Sequence, residues 1–346
     1  MRALRLVGWQ RDSEFADVEV PEPGPGQVLV RMGGAGVCHS DLHLLHEFPP
    51  GLLGWPVPFT LGHENAGWVQ AIGAGVTGLD EGLPVAVYGP WGCGTCRTCA
   101  TGAENYCSTL PGNSPVAGLG VDGGMAEYML VPSSRFLVPL PEGLSPQSAA
   151  PLTDAALTPY HAIAKARSVL TPGAAAVVIG IGGLGHLAVQ ILRATTDVEV
   201  IAVDTKPEAL ALAKACGADH LVHASACAED AIRNFTRGAG AAAVIDLVGS
   251  GATLEIAAKS VAKNGQILIV GLGGGTLPVS LLGLPYGVSV TPTYWGTRPE
   301  LHEVLRLAAR GDLRATVRTW PLSRATDAYA AVAAGTVPGR AVVVPG

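Results

Sequence analysis

An uninterrupted apolar run, Ala175-Ala176-Val177-Val178-Ile179, leads directly into Gly180-Ile181-Gly182-Gly183-Leu184-Gly185, and residues of helical composition follow from His186 to Thr195. A strand that is apolar on both faces must be covered on both faces, and a glycine turn straight into a helix begins the strand–helix–strand unit of a parallel sheet. The chain repeats the pattern with the strand Glu199 to Val203 ending at Asp204, a helix from Pro207 to Cys216, a strand from Ala242 to Asp246, a helix from Thr253 to Val261 and a strand from Gln266 to Val270. This alternation predicts a doubly wound parallel sheet in an α/β protein.

The glycines suit a dinucleotide. Gly180 makes the tight turn, Gly182 lets the backbone approach a pyrophosphate, and Gly185 lets the helix pack closely on the sheet. Gly183 and Leu184 lie in the same turn, at the helix N-terminus where free N–H groups favour negative charge. Asp204, about twenty residues on, can accept hydrogen bonds from ribose hydroxyls and repels a 2′-phosphate, so NAD is expected over NADP. The competing use of Asp204 is as a cap for the helix that begins near Pro207.

A chain of 346 residues exceeds what one core usually supports, so two domains are expected. Residues 1 to about 150 are rich in Gly, Pro and short apolar runs such as Val28-Leu29-Val30, Val85-Ala86-Val87 and Met129-Leu130-Val131, which read as strands of an irregular β-domain. The tail holds one helix, Pro299 to Arg310, and a last apolar run, Ala341 to Val344, and is expected to return to the first domain. Charged residues are 14% of the chain and apolar residues 48%, which favours a large buried α/β enzyme. The net charge of -6 argues against nucleic acid or an acidic membrane as partner. Two uncharged stretches, Ser168 to Leu192 and Asn264 to Thr297, are broken by glycine and proline and read as buried strands with their turns, not membrane spans. The segment Met1 to Arg11 has no sustained apolar core, so a cytoplasmic location is expected.

Seven cysteines, four of them between residues 93 and 107, do not form a disulfide pattern. Cys93, Cys96, Cys99 and Cys107 have the density and spacing of one tetrahedral zinc without an open position, which is a structural role; iron–sulfur ligation is the competing reading. An open site needs three ligands and a fourth position for substrate. Cys38 can supply a thiolate and His63 an imidazole.

With these residues in view, the chain resembles the zinc-dependent alcohol dehydrogenases of the medium-chain dehydrogenase/reductase superfamily, bacterial secondary-alcohol enzymes in particular. Gly62-His63-Glu64-x-x-Gly67-x-x-x-x-x-Gly73-x-x-Val76 fits that family's zinc signature, and the cysteine cluster and glycine turn follow in the family's order over essentially the full length. The resemblance implies a GroES-like β-rich catalytic domain (residues 1–153 and 295–346) and a Rossmann domain (residues 154–294), with the active site in the cleft between them. It places Cys38 and His63 on two catalytic zinc ligands. Where many members have a second cysteine, this chain has Asp154, four residues before Thr158, and a carboxylate can take that position; capping of a helix is its competing use.

The same resemblance implies that Asp41 accepts the hydrogen bond of the ligand imidazole, that Glu64 is an acid close to the metal, that Ser40 takes the proton of the alcohol and that His43 ends the relay. Capping and surface exposure are the alternatives for Ser40 and His43. Hydride passes to NAD; His39, Thr158, Val270 and Gly271 join the glycine turn and Asp204 as cofactor contacts. Two zinc ions per chain are implied. Trp55, Phe48, Leu119, Tyr294 and Trp295 are candidates for an apolar pocket, which favours secondary or aryl alcohols and their ketones over ethanol. The stretch Val288-Ser289-Val290 reads as an edge strand, and the family implies a homo-oligomer, dimer or tetramer, built on it. A polyol or formaldehyde dehydrogenase of the same superfamily, an enone reductase, which generally lacks zinc ligands, and a non-enzymatic zinc scaffold are the competing functions.

Overall fold

The computed structural model describes residues 1–225 and 227–345. The chain forms two compact units, Met1–Ala155 with Thr297–Ala309 and Ala315–Gly346, and Ala156–Gly296 with Arg310–Arg314.

The first unit is β-rich. Its seven-stranded sheet runs Leu137–Pro139, Pro84–Val87, Glu64–Ile72, Val28–Val37, Arg340–Val344, Val317–Pro321, and Tyr128–Val131 pairs additionally with Val28–Val37. The short apolar runs of the sequence lie in these strands, bent by register shifts between Leu29/Val30 and Met32/Gly34 that let one long strand serve several neighbours. The C-terminal strand pairs antiparallel with it, Val342 opposite Gly36, and so brings the end of the chain beside Cys38. One core gathers Leu4, Val37, Leu44, Leu61, Tyr329 and Val343.

The second unit is the doubly wound sheet. Six strands lie in the order His220–His223, Glu199–Asp204, Ala175–Ile179, Ala241–Asp246, Val261–Ile269, Ser289–Pro292, and every adjacent pair is parallel. Ala175–Ile179 is buried along its whole length, as its apolar sequence requires. Strand order reverses between it and Ala241–Asp246, where the connecting loops part to leave a crevice at the carboxyl ends of the strands.

Besides Trp295 and Gly296, which fall in the second unit, the division between units differs from the sequence expectation at two places. It falls after Ala155, so Asp154 belongs with Cys38 and His63, and Arg310–Arg314 joins the second unit. The second departure has a local cause: the Gln190 side chain donates to the Arg314 carbonyl at 3.1 Å and accepts its N–H at 2.9 Å, stitching that segment to the helix Gly185–Thr195. Among the described residues no helix is long and apolar enough to cross a membrane.

Candidate metal centres and nucleotide turn

The strand Val28–Val37 delivers the chain to Cys38, which caps the short helix His39–Leu42. In that turn the Asp41 carboxylate folds back, and its Oδ2 accepts the Cys38 backbone N–H at 3.1 Å. Its Oδ1 lies 3.1 Å from His63 Nδ1. His63 stands just before the strand Glu64–Ile72, whose pairing with Val28–Val37 sets Glu64 opposite Gly36. With Nδ1 committed to Asp41, His63 turns Nε2 toward Asp154, 3.5 Å from its Oδ2.

Cys38, His63, Glu64 and Asp154 each present a ligand atom, all within 4.8 Å of one another, and only Asp154 is not fully buried. Glu64 is already engaged, since both its oxygens take hydrogen bonds from the buried Arg340 guanidinium, Nε at 3.0 Å on one and Nη2 on the other. That leaves a sulfur, an imidazole nitrogen and a carboxylate oxygen, a donor set that fits zinc with one position to spare.

The local field suits the ligands. Burial pushes the Cys38 thiol up, but the charge of Arg340 and the hydrogen bond with His63 outweigh it and bring the pKa to about 6, so a thiolate is present at neutral pH. Burial also disfavours a charged His63, yet the Asp41 charge and the bonds to Asp154 and Asp41 raise its pKa. Electron pairs that attract a proton this strongly are equally offered to a metal, and the two compete.

Around this cluster, Ser40 Oγ lies 3.5 Å from Cys38 Sγ. His43 opens the π-helical turn His43–Glu47; its Nδ1 is 2.6 Å from Glu47 Oε2, and its ring stacks on Phe48 with centroids 5.7 Å apart. The exposed His39 ring approaches His43 edge-on at 6.1 Å. Trp55 and Leu119 pack half-buried at the margin of the core that holds Leu42 and Leu45, and the Trp55 indole donates to the Asn113 carbonyl.

The second group is Cys93, Cys96, Cys99 and Cys107. Cys93 and Cys99 Sγ are 3.9 Å apart, as are Cys96 and Cys107 Sγ. Four thiolates at 2.3 Å from one zinc would be separated by about 3.8 Å, so the cage already has the dimensions of a single ion. A multi-iron cluster would interpose irons and sulfides and hold the sulfurs further apart. The Thr98 hydroxyl and the Cys99 N–H draw Cys96 down to about 4, whereas burial pushes Cys99 up to about 12, helped by its thiol neighbours. Four thiols this close do not ionise together unless a cation balances them.

In the second unit, Gly180 has φ 90°, and its N–H donates to the Val203 carbonyl at 2.9 Å. A Cβ at Gly185 would strike the Gly180 carbonyl, so helix and strand end can approach this closely only with glycine there. At Gly182 a Cβ would meet nothing within 4 Å, so the backbone is open on the side a phosphate would use. Asp204 ties the turn down: Oδ2 accepts the Ile181 N–H at 2.7 Å and Oδ1 the Lys206 N–H at 2.9 Å. The following helix Pro207–Ala215 begins just after Lys206, so the Oδ1 bond also steadies the entry to that helix. Together with Gly180, Ser225, Glu229, Ser250 and Lys259 it lines a cavity of about 550 Å³. These features fit a dinucleotide.

Thr158 is buried in the helix Leu157–Lys165 of this unit, and the Val270 and Gly271 N–H groups both donate to the Asp246 carbonyl beyond the end of their strand. Tyr294 is exposed and Trp295 buried, their rings edge to face at 5.8 Å.

Two residues near the first metal group carry no signal in the sequence motifs. Arg340 is a lone arginine at the head of the apolar strand Arg340–Val344, where a buried cation must find a partner, and that is the one hint it offers. Tyr329, on the helix Ala325–Ala333, donates to Asp41 Oδ2 at 3.2 Å.

Residues 24–142 match the model of an alcohol dehydrogenase GroES-like domain, and residues 183–310 that of a zinc-binding dehydrogenase. The chain is 39% identical to an NAD-dependent alcohol dehydrogenase of Sulfurisphaera tokodaii, with 100% of both chains covered. Among solved structures, an alcohol dehydrogenase from the archaeon Aeropyrum pernix is 38% identical with a TM-score of 0.92 and full coverage of both chains. An acetophenone reductase from Geotrichum candidum in complex with NAD is 33% identical with a TM-score of 0.87, covering 99% of this chain and 96% of that one.

Proposed function

Because the chain belongs to the zinc-dependent alcohol dehydrogenases of the medium-chain dehydrogenase/reductase superfamily, we propose that its substrates are secondary alcohols, including bulky and aryl ones, and the corresponding ketones. It is an NAD-linked, zinc-containing enzyme of alcohol oxidation. The observation that carries the reading is the convergence of Cys38, His63 and Asp154 within 4.8 Å in a chain that also holds an open glycine turn. Support for the substrate class comes from the half-buried Trp55 and Leu119, from Tyr294 and Trp295, and from the likeness to an acetophenone reductase.

Cys38, His63 and Asp154 hold the catalytic zinc, and Cys93, Cys96, Cys99 and Cys107 the structural one. The catalytic ion supplies Lewis-acid polarisation of the substrate oxygen. Asp41 fixes the His63 tautomer, so that Nε2 is the ligand atom. Ser40, beside Cys38, receives the hydroxyl proton, and His43 accepts it in turn. The pairing of His43 Nδ1 with Glu47 keeps its other nitrogen available for this. Glu64, held by Arg340, stands beside the centre as its neighbouring acid. The turn Gly180–Gly185 receives the pyrophosphate, Asp204 the ribose hydroxyls, and His39, Thr158, Val270 and Gly271 complete the cofactor contacts.

The deciding experiment is metal analysis combined with an alcohol panel. Two zinc ions per chain and NADH formation fastest with secondary or aryl alcohols are expected. One zinc and no turnover of any alcohol would overturn the reading, and a preference for polyols would move the enzyme to another branch of its superfamily.

Asp204→Gly is expected to raise the ratio of NADP to NAD kcat/KM by on the order of tenfold or more, because the carboxylate both binds the ribose and repels a 2′-phosphate. An unchanged ratio would remove Asp204 from cofactor choice.

A cytoplasmic location accords with four thiols kept reduced for metal. The segment before the edge strand Ser289–Pro292 exposes Val279, Leu281, Leu282 and Tyr286, with Leu282 at 87%, and this apolar surface beside an open edge supports a homo-oligomer, dimer or tetramer.

A further inference from the structure

Asp41 is the hub of the first metal centre, because one carboxylate reaches both of its early ligands. Its Oδ1 faces His63 Nδ1 at 3.1 Å, and its Oδ2 accepts the backbone N–H of Cys38 at 3.1 Å. A carboxylate rotates easily about its last bond, and within its own helix it is the bond from the Cys38 N–H that opposes this. The remaining restraint comes from the other end of the chain. Tyr329 Oη donates to the same Oδ2 at 3.2 Å, across 288 residues of sequence. Both side chains are buried, Asp41 at 0% and Tyr329 at 4% exposure, so water does not replace the bond when it is lost.

We infer that Tyr329 is a positioning residue of the catalytic metal centre, its phenol fixing the Asp41 carboxylate in the orientation that aims His63 Nε2 and Cys38 at one ion. The inference rests on the assignment of Cys38, His63 and Asp154 as metal ligands. The carboxylate that bonds a ligand imidazole sets its direction and basicity, and loss of such a bond typically costs 10 to 100-fold in metal affinity; Tyr329 acts on that carboxylate one bond further out. Burial and the Asp41 charge both push the phenol pKa up, so the hydroxyl remains a proton donor. The ring contributes separately, by packing in the core with Leu42, Leu44 and Ala328, and a phenylalanine would pack there equally well. Packing and positioning can therefore be separated by removing one oxygen.

The test compares holoenzymes of the wild type, Tyr329→Phe and Tyr329→Leu by the rate at which zinc passes to a chromogenic chelator. In the wild type, two phases of one zinc each are expected, one from the four-cysteine cage and one from the Cys38 centre. Tyr329→Phe is expected to speed the Cys38 phase about tenfold and to leave the cage phase unchanged. With cobalt in place of the catalytic zinc, the same variant is expected to shift the thiolate-to-metal absorption band. A role in packing alone predicts that Tyr329→Leu is accelerated while Tyr329→Phe matches the wild type in both readouts, and that result would overturn the inference. If the wild type releases zinc only from the cage, the ligand assignment itself falls and takes the inference with it.

Discussion

Replacing Asp154 by alanine is expected to lower kcat/KM for alcohol oxidation by about a thousandfold or more while the four-cysteine zinc stays in place. The size follows from the ligand role proposed for the carboxylate. Lewis-acid stabilisation of developing charge contributes several kcal/mol, and roughly 4 kcal/mol corresponds to about three powers of ten. Asp154 Oδ2 is 3.5 Å from His63 Nε2, and its side chain keeps 13% of its surface, so it borders space that Cys38 and His63 do not. The backbone that presents it is firmly held. Residues Ala150–Thr153 are wholly buried, and Thr153 Oγ1 both donates to the Ala150 carbonyl and accepts the Asn65 N–H. The next helix, Leu157–Lys165, starts at Ala156, two residues beyond this acid. Asp154→Cys separates the remaining possibilities. A thiolate there restores a ligand of the same charge, so metal content and most of the activity are expected to survive, whereas Asp154→Asn, neutral and a poorer donor, is expected to behave like alanine. Zinc analysis with kinetics on the three variants checks the set. Wild-type occupancy and kcat/KM in Asp154→Ala would remove this residue from the ligands.

The parts of the enzyme that could be read from sequence are those whose partners are close in sequence. The four cysteines span fifteen residues, and the glycine turn with its flanking strand and helix is one continuous segment, so spacing alone carries their meaning. Element ends were less legible for a physical reason. The strand expected from Gln266 begins at Val261, because Lys263, Asn264 and Gly265 sit in a bulged stretch where the pairing with Ala241–Asp246 shifts register and Asn264 takes φ 58°. Polar residues in a bulge look like a turn when only composition is visible. The support of the metal centre was not legible at all. Arg340 and Tyr329 act on Glu64 and Asp41 from 276 and 288 residues away, and neither belongs to a local pattern. The antiparallel pairing of the last strand with Val28–Val37 brings Arg340 there, and the packing of the helix Ala325–Ala333 against the helix His39–Leu42 brings Tyr329. That pairing follows from the burial of two apolar strands, and the polar groups it carries inside are a consequence that no periodicity announces.

Arg340 is the residue whose loss is expected to cost the most stability. Glu64 and Arg340 lie on the two strands that flank Val28–Val37, and Gly36 stands between them; a Cβ at Gly36 would collide with the Glu64 carboxylate on its way across. The pair is almost dry, with Arg340 at 5% and Glu64 at 0% exposure. Burial disfavours its charges, but Glu64 and the Cys38 sulfur together hold the guanidinium protonated. A buried pair of this kind adds little compared with apolar residues of the same volume; burial already pushes the Glu64 carboxyl up to about 8 against the Arg340 charge, and breaking the pair from one side leaves that carboxyl protonated and buried without its partner, at about 3–5 kcal/mol. Arg340→Met is therefore expected to destabilise the fold by roughly that amount, read as a lower midpoint in denaturant unfolding. Combining it with Glu64→Gln removes the stranded carboxyl and is expected to recover most of the loss, a coupling that a double-mutant cycle isolates. The metal centre feels the same substitution with a definite sign. Arg340 is the largest influence drawing the Cys38 thiol down to about 6; without it burial prevails and the pKa rises. Metal must then displace a proton over a wider range of pH, so zinc retention in the double variant is expected to fail at a higher pH than in the wild type even where the fold has been restored. Equal retention profiles would mean that the arginine serves the fold alone.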